Sequence, residues 1–287
     1  MNPSTPLRRT VTAIALGLII TGLFHASAWA AKGTVRLGYV LWDSEIASTN
    51  VVAAVLEDIL DYQVEMISVD AGPMWTGIAQ GDFDAIVAAW LPGTHEAYYE
   101  RVWTQVENLG PNLHGAKIGL VVPSYVTIDS IEELNAHRAQ FQGRIVGIDP
   151  GAGLMQATDK AIQEYGLNFT LQDGSDAAMT AELGRAIRSN QWIVVTGWTP
   201  HWKFAQWDLK YLEDPKGVYG AAETINTIVA RDLYERMPEV YEFLDRFYWT
   251  PDDMATVMMY IREGMSEAEA ARKWIAEDRE KVEAWLP

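Results

Sequence analysis

One stretch, Ile-Val-Val-Thr-Gly-Trp-Thr-Pro-His-Trp at residues 193–202, constrains the fold more than any other. It begins with β-branched residues, stops at a glycine and then presents aromatic side chains. An apolar run bounded by glycine and proline is typical of a strand that is covered on both faces in a parallel α/β sheet. Ligands of such sheets bind just beyond the carboxyl ends of the strands. The stretch therefore predicts a buried strand that places Trp198 at a ligand site.

An approximate copy of this stretch lies earlier in the chain, at Ala85–His95. There an apolar strand again runs into Trp-x-Pro, and a histidine follows soon after. The segments that precede the two strands, 74–79 and 179–187, both read as short amphipathic helices. We infer two lobes of similar build. If the lobes face each other across a cleft, Trp90 and Trp198 line opposite walls of one pocket.

The N-terminus has the layout of a secretory signal. Arg8 and Arg9 precede an apolar run at 11–24, and Ala-Trp-Ala at 28–30 provides a cleavage site. The alternative is a membrane anchor, but the run is shorter than the roughly 20 apolar residues that a spanning helix needs. We expect a cleaved signal peptide over residues 1–30 and a periplasmic mature protein.

The composition excludes several classes of function. The chain has no cysteine, so it has no disulfide, no thiolate metal site and no lipid attachment through cysteine. Its formal net charge of −17 disfavours nucleic acid and anionic membranes as partners. The histidines lack the spacing of a metal site, and the common hydrolase, metalloprotease and phosphate-loop motifs are absent from the sequence. We therefore expect no catalysis, no cofactor and no metal.

The order of the predicted elements gives an α/β fold. A strand at 34–40 leads into a helix that Asp43 or Ser44 is expected to cap, and strands and helices then alternate, which predicts a parallel sheet. The segment 117–123 reads as a strand that crosses between the lobes, and 224–230 reads as the strand that returns. The predicted domains are lobe I, residues 31–116 plus 222–287, and lobe II, residues 117–221.

Three tryptophans share a position in this scheme. Trp42, Trp90 and Trp198 each follow a strand that is expected to end at the same edge of its sheet. Three indole faces around one point suit a ligand with a positive charge but no hydrogen-bond donor, such as a quaternary ammonium or a sulfonium group. His201, beside Trp198, is interpreted as a structural histidine whose hydrogen bonds are satisfied within the protein.

A glycine-rich turn, Pro-Gly-Ala-Gly-Leu-Met at 150–155, follows a predicted strand and opens a predicted helix. A helix start leaves backbone N–H groups unpaired and pointing in one direction, which favours an anion site, although an ordinary turn remains the alternative. The turn at 151–154 and His95 are therefore the candidates for a second anchor of the cationic ligand.

Five motifs resemble those of the glycine betaine/proline betaine-binding proteins of ABC importers. They are Tyr39–Asn50, Ala71–Thr76, Ala89–His95, Ile148–Gly153 and Thr196–Trp202, and the resemblance covers essentially the whole predicted mature chain. It implies the two-lobed periplasmic-binding-protein fold, type II-like, with the ligand in the cleft between the lobes. It also implies an ABC permease and its ATPase as partners of a monomeric binding protein.

The resemblance assigns roles to particular residues. By motif, the tryptophan prism that surrounds the quaternary ammonium group in this family falls on Trp42, Trp90 and Trp198. The ligand carboxylate is implied to contact the backbone N–H groups of Gly153 and Leu154, with help from His95. The implied ligand is glycine betaine or a relative such as proline betaine or dimethylsulfoniopropionate, taken up for osmoprotection.

Two other functions stay open at this point. The same fold can serve a sensory partner for the same solutes, and a betaine-degrading enzyme is a further alternative. A neighbouring permease and ATPase would favour the importer, whereas turnover of a bound betaine would be needed to support the enzyme.

Overall fold

The computed structural model describes residues 32–287, and the predicted signal peptide lies outside these residues. The strands are β1 (Thr34–Tyr39), β2 (Gln63–Ser68), β3 (Ala85–Leu91), β4 (Val106–Pro123), β5 (Arg144–Val146), β6 (Thr170–Gln172), β7 (Val195–Thr199), β8 (Leu209–Tyr211) and β9 (Glu223–Ala230). The α-helices are α1 (Asp43–Asp58), α2 (Ala71–Gln80), α3 (Glu96–Val102), α4 (Gly153–Glu164), α5 (Asp176–Arg188), α6 (Lys203–Gln206), α7 (Leu233–Arg236), α8 (Pro238–Arg246), α9 (Pro251–Arg262), α10 (Glu267–Glu277) and α11 (Arg279–Glu283). A 3₁₀ helix spans Ile131–His137.

The strands form one mixed sheet in the order β2-β1-β3-β9-β4-β7-β5-β6, with β8 beside β4. Its two outer groups, β2-β1-β3 and β7-β5-β6, are parallel as predicted. The two strands in the middle, β4 and β9, run antiparallel to each other and to their outer neighbours. The prediction of a parallel sheet was therefore wrong for the two middle strands, because the alternation of strands and helices does not fix the direction of the strands that join the two outer groups.

The long strand β4 belongs to both groups. Its residues 106–116 pair with β9, and residues 117–121 pair with β7, so the partner changes within the strand. The sequence prediction began this strand only at Lys117. The earlier part of β4 is irregular, because Gly110 and Gly115 have positive φ and the pairing register with β9 shifts near them. The change of partner coincides with the predicted lobe boundary. The division into lobe I and lobe II stays a prediction.

Helix α1 follows β1 in the chain, and its first two turns carry polar side chains that are buried. Ser44, Glu45, Ser48 and Thr49 are all buried at 0–1% exposure. The N-cap residue is Trp42, and no side chain caps the helix, so the prediction of a cap at Asp43 or Ser44 was wrong. Both side chains instead accept indole N–H groups, as described below.

No helix within residues 32–287 combines the length and the apolar character that crossing a bilayer requires.

Candidate ligand-binding site

One cavity is lined by all six residues that the sequence analysis selected for ligand binding. The three tryptophans around it are only 3–6% exposed. Four further residues complete its wall. The lining consists of Trp42, Trp90, Thr94, His95, Ile118, Ile148, Ala152, Gly153, Leu154 and Trp198.

Two of the tryptophans lie inside strands and are oriented by the first turn of α1. The indole Nε1 of Trp90 in β3 donates to Glu45 Oε1 at 2.8 Å, and that of Trp198 in β7 donates to Ser44 Oγ at 3.1 Å. The prediction that these tryptophans come directly after their strands was wrong by two positions, because β3 extends to Leu91 and β7 to Thr199. Since each N–H is bonded to protein, the rings offer the cavity their π surfaces and no donor.

Trp42 reaches the cavity from the turn between β1 and α1. Its Nε1 donates to Asp149 Oδ2 at 2.8 Å, which ties this turn to the segment just before α4. The ring centroid lies 6.4 Å from that of Trp198, with an angle of 56° between the ring planes. It lies 6.1 Å from the His95 ring. The inclined rings of Trp42 and Trp198 therefore form two adjoining walls of the same cavity.

His95 is fully buried and uses one ring nitrogen to hold itself in place. Its Nδ1 accepts the backbone N–H of Trp90 at 3.1 Å, while Nε2 has no hydrogen-bond partner among the described residues. Burial lowers the pKa of His95 to about 4, so the ring is neutral at neutral pH. Because Nδ1 accepts the backbone N–H of Trp90, we assign the single ring proton of neutral His95 to Nε2. His95 thus brings an unsatisfied N–H donor to the cavity.

The N-terminus of α4 supplies further donors. Gly153 and Leu154 are the first two residues of this 12-residue helix, no side chain caps it, and their N–H groups have no acceptor within the described part of the chain. The aligned peptide dipoles place partial positive charge at this end. A Cβ on Gly153 would overlap the carbonyl oxygen of Thr94, so only glycine fits here.

Two hydrogen bonds keep this turn against the rest of the cavity wall. Tyr98 on α3 donates its hydroxyl to the Gly151 carbonyl at 2.7 Å. Glu223 at the start of β9 accepts the backbone N–H of Thr94 at 2.9 Å, which fixes the loop that faces Gly153. The glycine-rich turn and the His95 loop are therefore positioned against each other by protein contacts.

His201 behaves differently from His95. Its Nε2 lies 3.1 Å from Asp176 Oδ1, its Nδ1 accepts the backbone N–H of Lys203 at 3.1 Å, and it does not line the cavity. This agrees with its interpretation as a structural histidine. Ligand atoms of Asp43, Asp176 and His201 come within 4.8 Å of one another. Asp43 also accepts the indole N–H of Trp202, and the nearby Lys203 opposes a bound cation, so the group fits a hydrogen-bond network better than a metal centre.

Sequence reasoning missed several residues of the site. Thr94 and Ile148 fall within the matched motifs, so their neighbours carried a usable signal, and Ala152 lies in the selected turn at 151–154 but was not named as a contact. Ile118 lies on β4, where nothing in the sequence distinguishes it from a core residue. The residues that orient the indoles, which are Ser44, Glu45 and Asp149, were not selected either.

The mixed α/β sheet and the buried aromatic cavity with unpaired donors define a solute-binding protein. A family model described as the substrate binding domain of ABC-type glycine betaine transport systems matches residues 33–277. The chain belongs to this family.

Three relatives illustrate the similarity. The glycine betaine/carnitine transport binding protein GbuC of Listeria monocytogenes is 50% identical over 149 residues, which is 51% of this chain and 50% of that protein. The match thus spans about half the length of this curated relative. Lactococcal OpuAC in its closed form with glycine betaine has a TM-score of 0.85 at 43% identity, covering 89% of this chain and 100% of that one. ProX of Borrelia burgdorferi has a TM-score of 0.85 at 36% identity, with coverage of 88% and 97%.

These similarities confirm the predicted α/β periplasmic-binding-protein fold. The family consists of substrate-binding proteins, which confirms a binding role over an enzymatic one. Substrate-binding proteins of ABC importers work outside the cytoplasm, in agreement with the predicted extracytoplasmic location.

Proposed function

We propose that this protein captures glycine betaine, or a related quaternary ammonium or sulfonium carboxylate, and delivers it to an ABC permease as a monomeric periplasmic binding protein. The observation that carries the proposal is the pairing of two opposite features in one cavity. Three indole faces surround a space that also receives the unpartnered Nε2 of His95 and the free N–H groups at the start of α4. A zwitterion with no donor of its own complements both.

The aromatic part of the cavity supports the cationic half of the ligand. Trp42, Trp90 and Trp198 direct their N–H groups into protein acceptors, so a ligand that needed to accept a hydrogen bond from them would find none. Among residues 32–287 no carboxylate lines the cavity, although an ordinary amine would require one. A desolvated cation–π contact contributes on the order of 2 kcal/mol. Three such contacts, together with hydrogen bonds to a ligand carboxylate, are compatible with a micromolar Kd, which corresponds to a binding free energy near −8 kcal/mol.

The opposite end supports the carboxylate. Gly153, Leu154 and His95 offer donors that are buried and otherwise unsatisfied, and each buried unsatisfied donor costs about 1–3 kcal/mol. A carboxylate removes this cost and forms charge-assisted hydrogen bonds, which are roughly twice as strong as neutral ones. These donors therefore support the proposal that the ligand carries a carboxylate at this end of the cavity.

Calorimetry with purified protein tests the proposal directly. Glycine betaine, proline betaine, dimethylsulfoniopropionate, carnitine and choline are titrated separately, and thermal unfolding is followed in parallel. A ligand at 100 times its Kd should stabilise the fold by about 2.7 kcal/mol and alter tryptophan fluorescence. An unchanged melting curve at millimolar betaine would contradict the assignment.

Variants of the cavity wall locate the bound ligand. Trp42→Ala, Trp90→Ala and Trp198→Ala should each weaken betaine binding by about 1–3 kcal/mol. Trp103→Ala is the matched control, because Trp103 is 58% exposed and lies outside the cavity. If all four variants bind alike, the three buried tryptophans are packing residues only.

A further inference from the structure

A lysine lies directly behind one wall of the cavity. Lys203 at the start of α6 is 0% exposed, and its Nζ is 4.0 Å from the centroid of the Trp198 ring. The same Nζ has no hydrogen-bond partner among residues 32–287. Trp198 lines the cavity and Lys203 does not, so the amine faces the side of the indole away from the ligand space.

The charged groups around Lys203 come from three other parts of the structure. Asp176 on α5 and Asp43 on α1 attract its charge, while His201 in the preceding loop is held in neutral form. The guanidinium carbon Cζ of Arg262 on α9 lies 4.5 Å from the centroid of the neighbouring Trp202 ring. Burial lowers the pKa of Lys203 to about 7, despite the attraction of the two carboxylates. The amine therefore exchanges between its charged and neutral forms near neutral pH.

We propose that Lys203 determines the affinity of the cavity for its cationic ligand by placing or removing a positive charge behind Trp198. The inference rests on the proposed function, since it assumes that the ligand cation contacts the other face of this indole. A cation–π contact depends on the negative potential of the ring face. A protonated amine behind the ring reduces that potential and repels the ligand cation through a water-free wall. A neutral amine does neither.

The direction of the effect follows from the charge. Below neutral pH Lys203 is protonated, so betaine binds more weakly. Above neutral pH the amine is neutral, so its repulsion of the ligand cation disappears. By linkage, betaine binding near pH 7 must then displace part of a proton from Lys203. Glu45, which accepts the indole N–H of Trp90, titrates in the same range, because burial raises its pKa to about 7. Its ionisation adds negative charge near the cavity and acts in the same direction, so the pH profile of the unmodified protein alone does not isolate Lys203.

A comparison of Lys203 variants separates the effect of Lys203 on betaine affinity from that of Glu45. Glycine betaine is titrated into the unmodified protein, Lys203→Met and Lys203→Gln at about pH 6 and about pH 8.5, on either side of the Lys203 transition. At the lower pH both variants should bind about 5-fold more tightly than the unmodified protein, equivalent to about 1 kcal/mol. At the higher pH the three affinities should agree within about 2-fold. Glu45 is present in all three proteins, so its contribution cancels in each ratio.

Proton release provides a readout that a purely structural lysine would not change. Titrations near pH 7 in two buffers of different ionisation enthalpy should show fewer protons released by Lys203→Met than by the unmodified protein. If the variant-to-unmodified affinity ratio is the same at both pH values, the inference is overturned while the proposed function stands. If the unmodified protein binds no betaine at either pH, the proposed function fails instead. Should Lys203→Met not fold, the Lys203→Gln ratio decides in the same way.

Discussion

The two histidines that follow the two Trp-x-Pro segments are held in the same way at Nδ1 but differ in the partner of Nε2. His95 and His201 are 0% and 3% exposed, and burial lowers the pKa of each to about 4. Each accepts a backbone N–H at Nδ1 over 3.1 Å. His201 directs Nε2 to Asp176, whereas Nε2 of His95 has no partner in the described structure and His95 lines the cavity. The local backbone thus fixes the ring, and the second nitrogen decides between a structural and a ligand-binding role.

The tryptophans of the two segments differ in a related way. Both rings are held by the first turn of α1, but Trp90 donates to the carboxylate of Glu45 and Trp198 donates to the hydroxyl of Ser44. Trp198 has Lys203 behind it. The two walls of the cavity are therefore similar in shape and different in charge.

The largest expected effect separates the two histidines by stability. His201→Ala should lower the free energy of unfolding by about 4 kcal/mol, because it leaves the buried Asp176 carboxylate without its main partner and creates a cavity. His95→Ala should cost about 2 kcal/mol, since only packing and one backbone contact are lost. Urea denaturation at neutral pH without ligand measures both. Equal losses would mean that the Asp176 contact does not distinguish the two residues.

A second effect concerns the acceptor of Trp90. Burial raises the pKa of Glu45 from 4.5 to about 7, so between these values the folded protein holds a proton that the unfolded chain has released. The resulting stabilisation is complete below about pH 4.5 and is lost as the pH rises through about 7. Glu45→Gln removes this dependence.

The unfolding free energy of the Gln variant, relative to the unmodified protein, should therefore rise by about 3 kcal/mol between about pH 4.5 and pH 7.5. Denaturation curves across this range provide the measurement, and Glu280→Gln on the exposed surface of α11 is the control. A difference that does not vary with pH would show that Glu45 is ionised throughout.

The sequence was sufficient for those parts of the site that depend on strand ends. The apolar runs before Trp90 and Trp198 do form β3 and β7, and the glycine-rich turn does open α4. These features are local, so periodicity, glycine and proline reveal them. The turn at 151–154 and His95 were already candidates for the second anchor, and the motif resemblance narrowed the turn to Gly153 and Leu154.

The features of the site that the sequence did not predict depend on contacts between distant parts of the chain. Trp90 and Glu45 are 45 residues apart, and Trp198 and Ser44 are 154 apart. In the sequence, Asp43 and Ser44 are residue types that commonly cap helices, which is why a cap was predicted at one of them. Lys203 reads as a surface lysine until the fold closes over it. Burial of a polar side chain is a tertiary property that no short window of sequence contains.

The third prediction tests the free nitrogen of His95 through ligand choice. Choline carries the trimethylammonium group of glycine betaine but lacks a carboxylate for Gly153, Leu154 and His95. Buried donors that lose their partner cost about 1–3 kcal/mol each, so choline should bind about 100-fold more weakly, a gap near 2.7 kcal/mol.

His95→Ala should narrow this gap by weakening betaine while leaving choline nearly unchanged. Calorimetric titration of both ligands into the unmodified protein, His95→Ala and His201→Asn provides the comparison, and His201→Asn should preserve the gap. Comparable affinities in the unmodified protein would show that the start of α4 is only a turn and that the anion half of the proposal is wrong.

The smallest expected effect compares the two indole N–H groups. Trp90→Phe and Trp198→Phe remove the same donor and leave similar rings, but Trp90→Phe strands a buried carboxylate and Trp198→Phe strands a hydroxyl that can rotate. Hydrogen bonds to charged groups contribute about 1.5–3 kcal/mol and neutral ones about 0.5–1.5 kcal/mol. Trp90→Phe should therefore cost about 1 kcal/mol more unfolding free energy at about pH 8.5, where Glu45 is ionised. At about pH 5 the neutral carboxyl behaves like a hydroxyl acceptor, and the difference should shrink towards zero. A difference of the same size at both pH values would assign the asymmetry to packing around the two rings and not to the charge of the Glu45 carboxylate that accepts the Trp90 N–H.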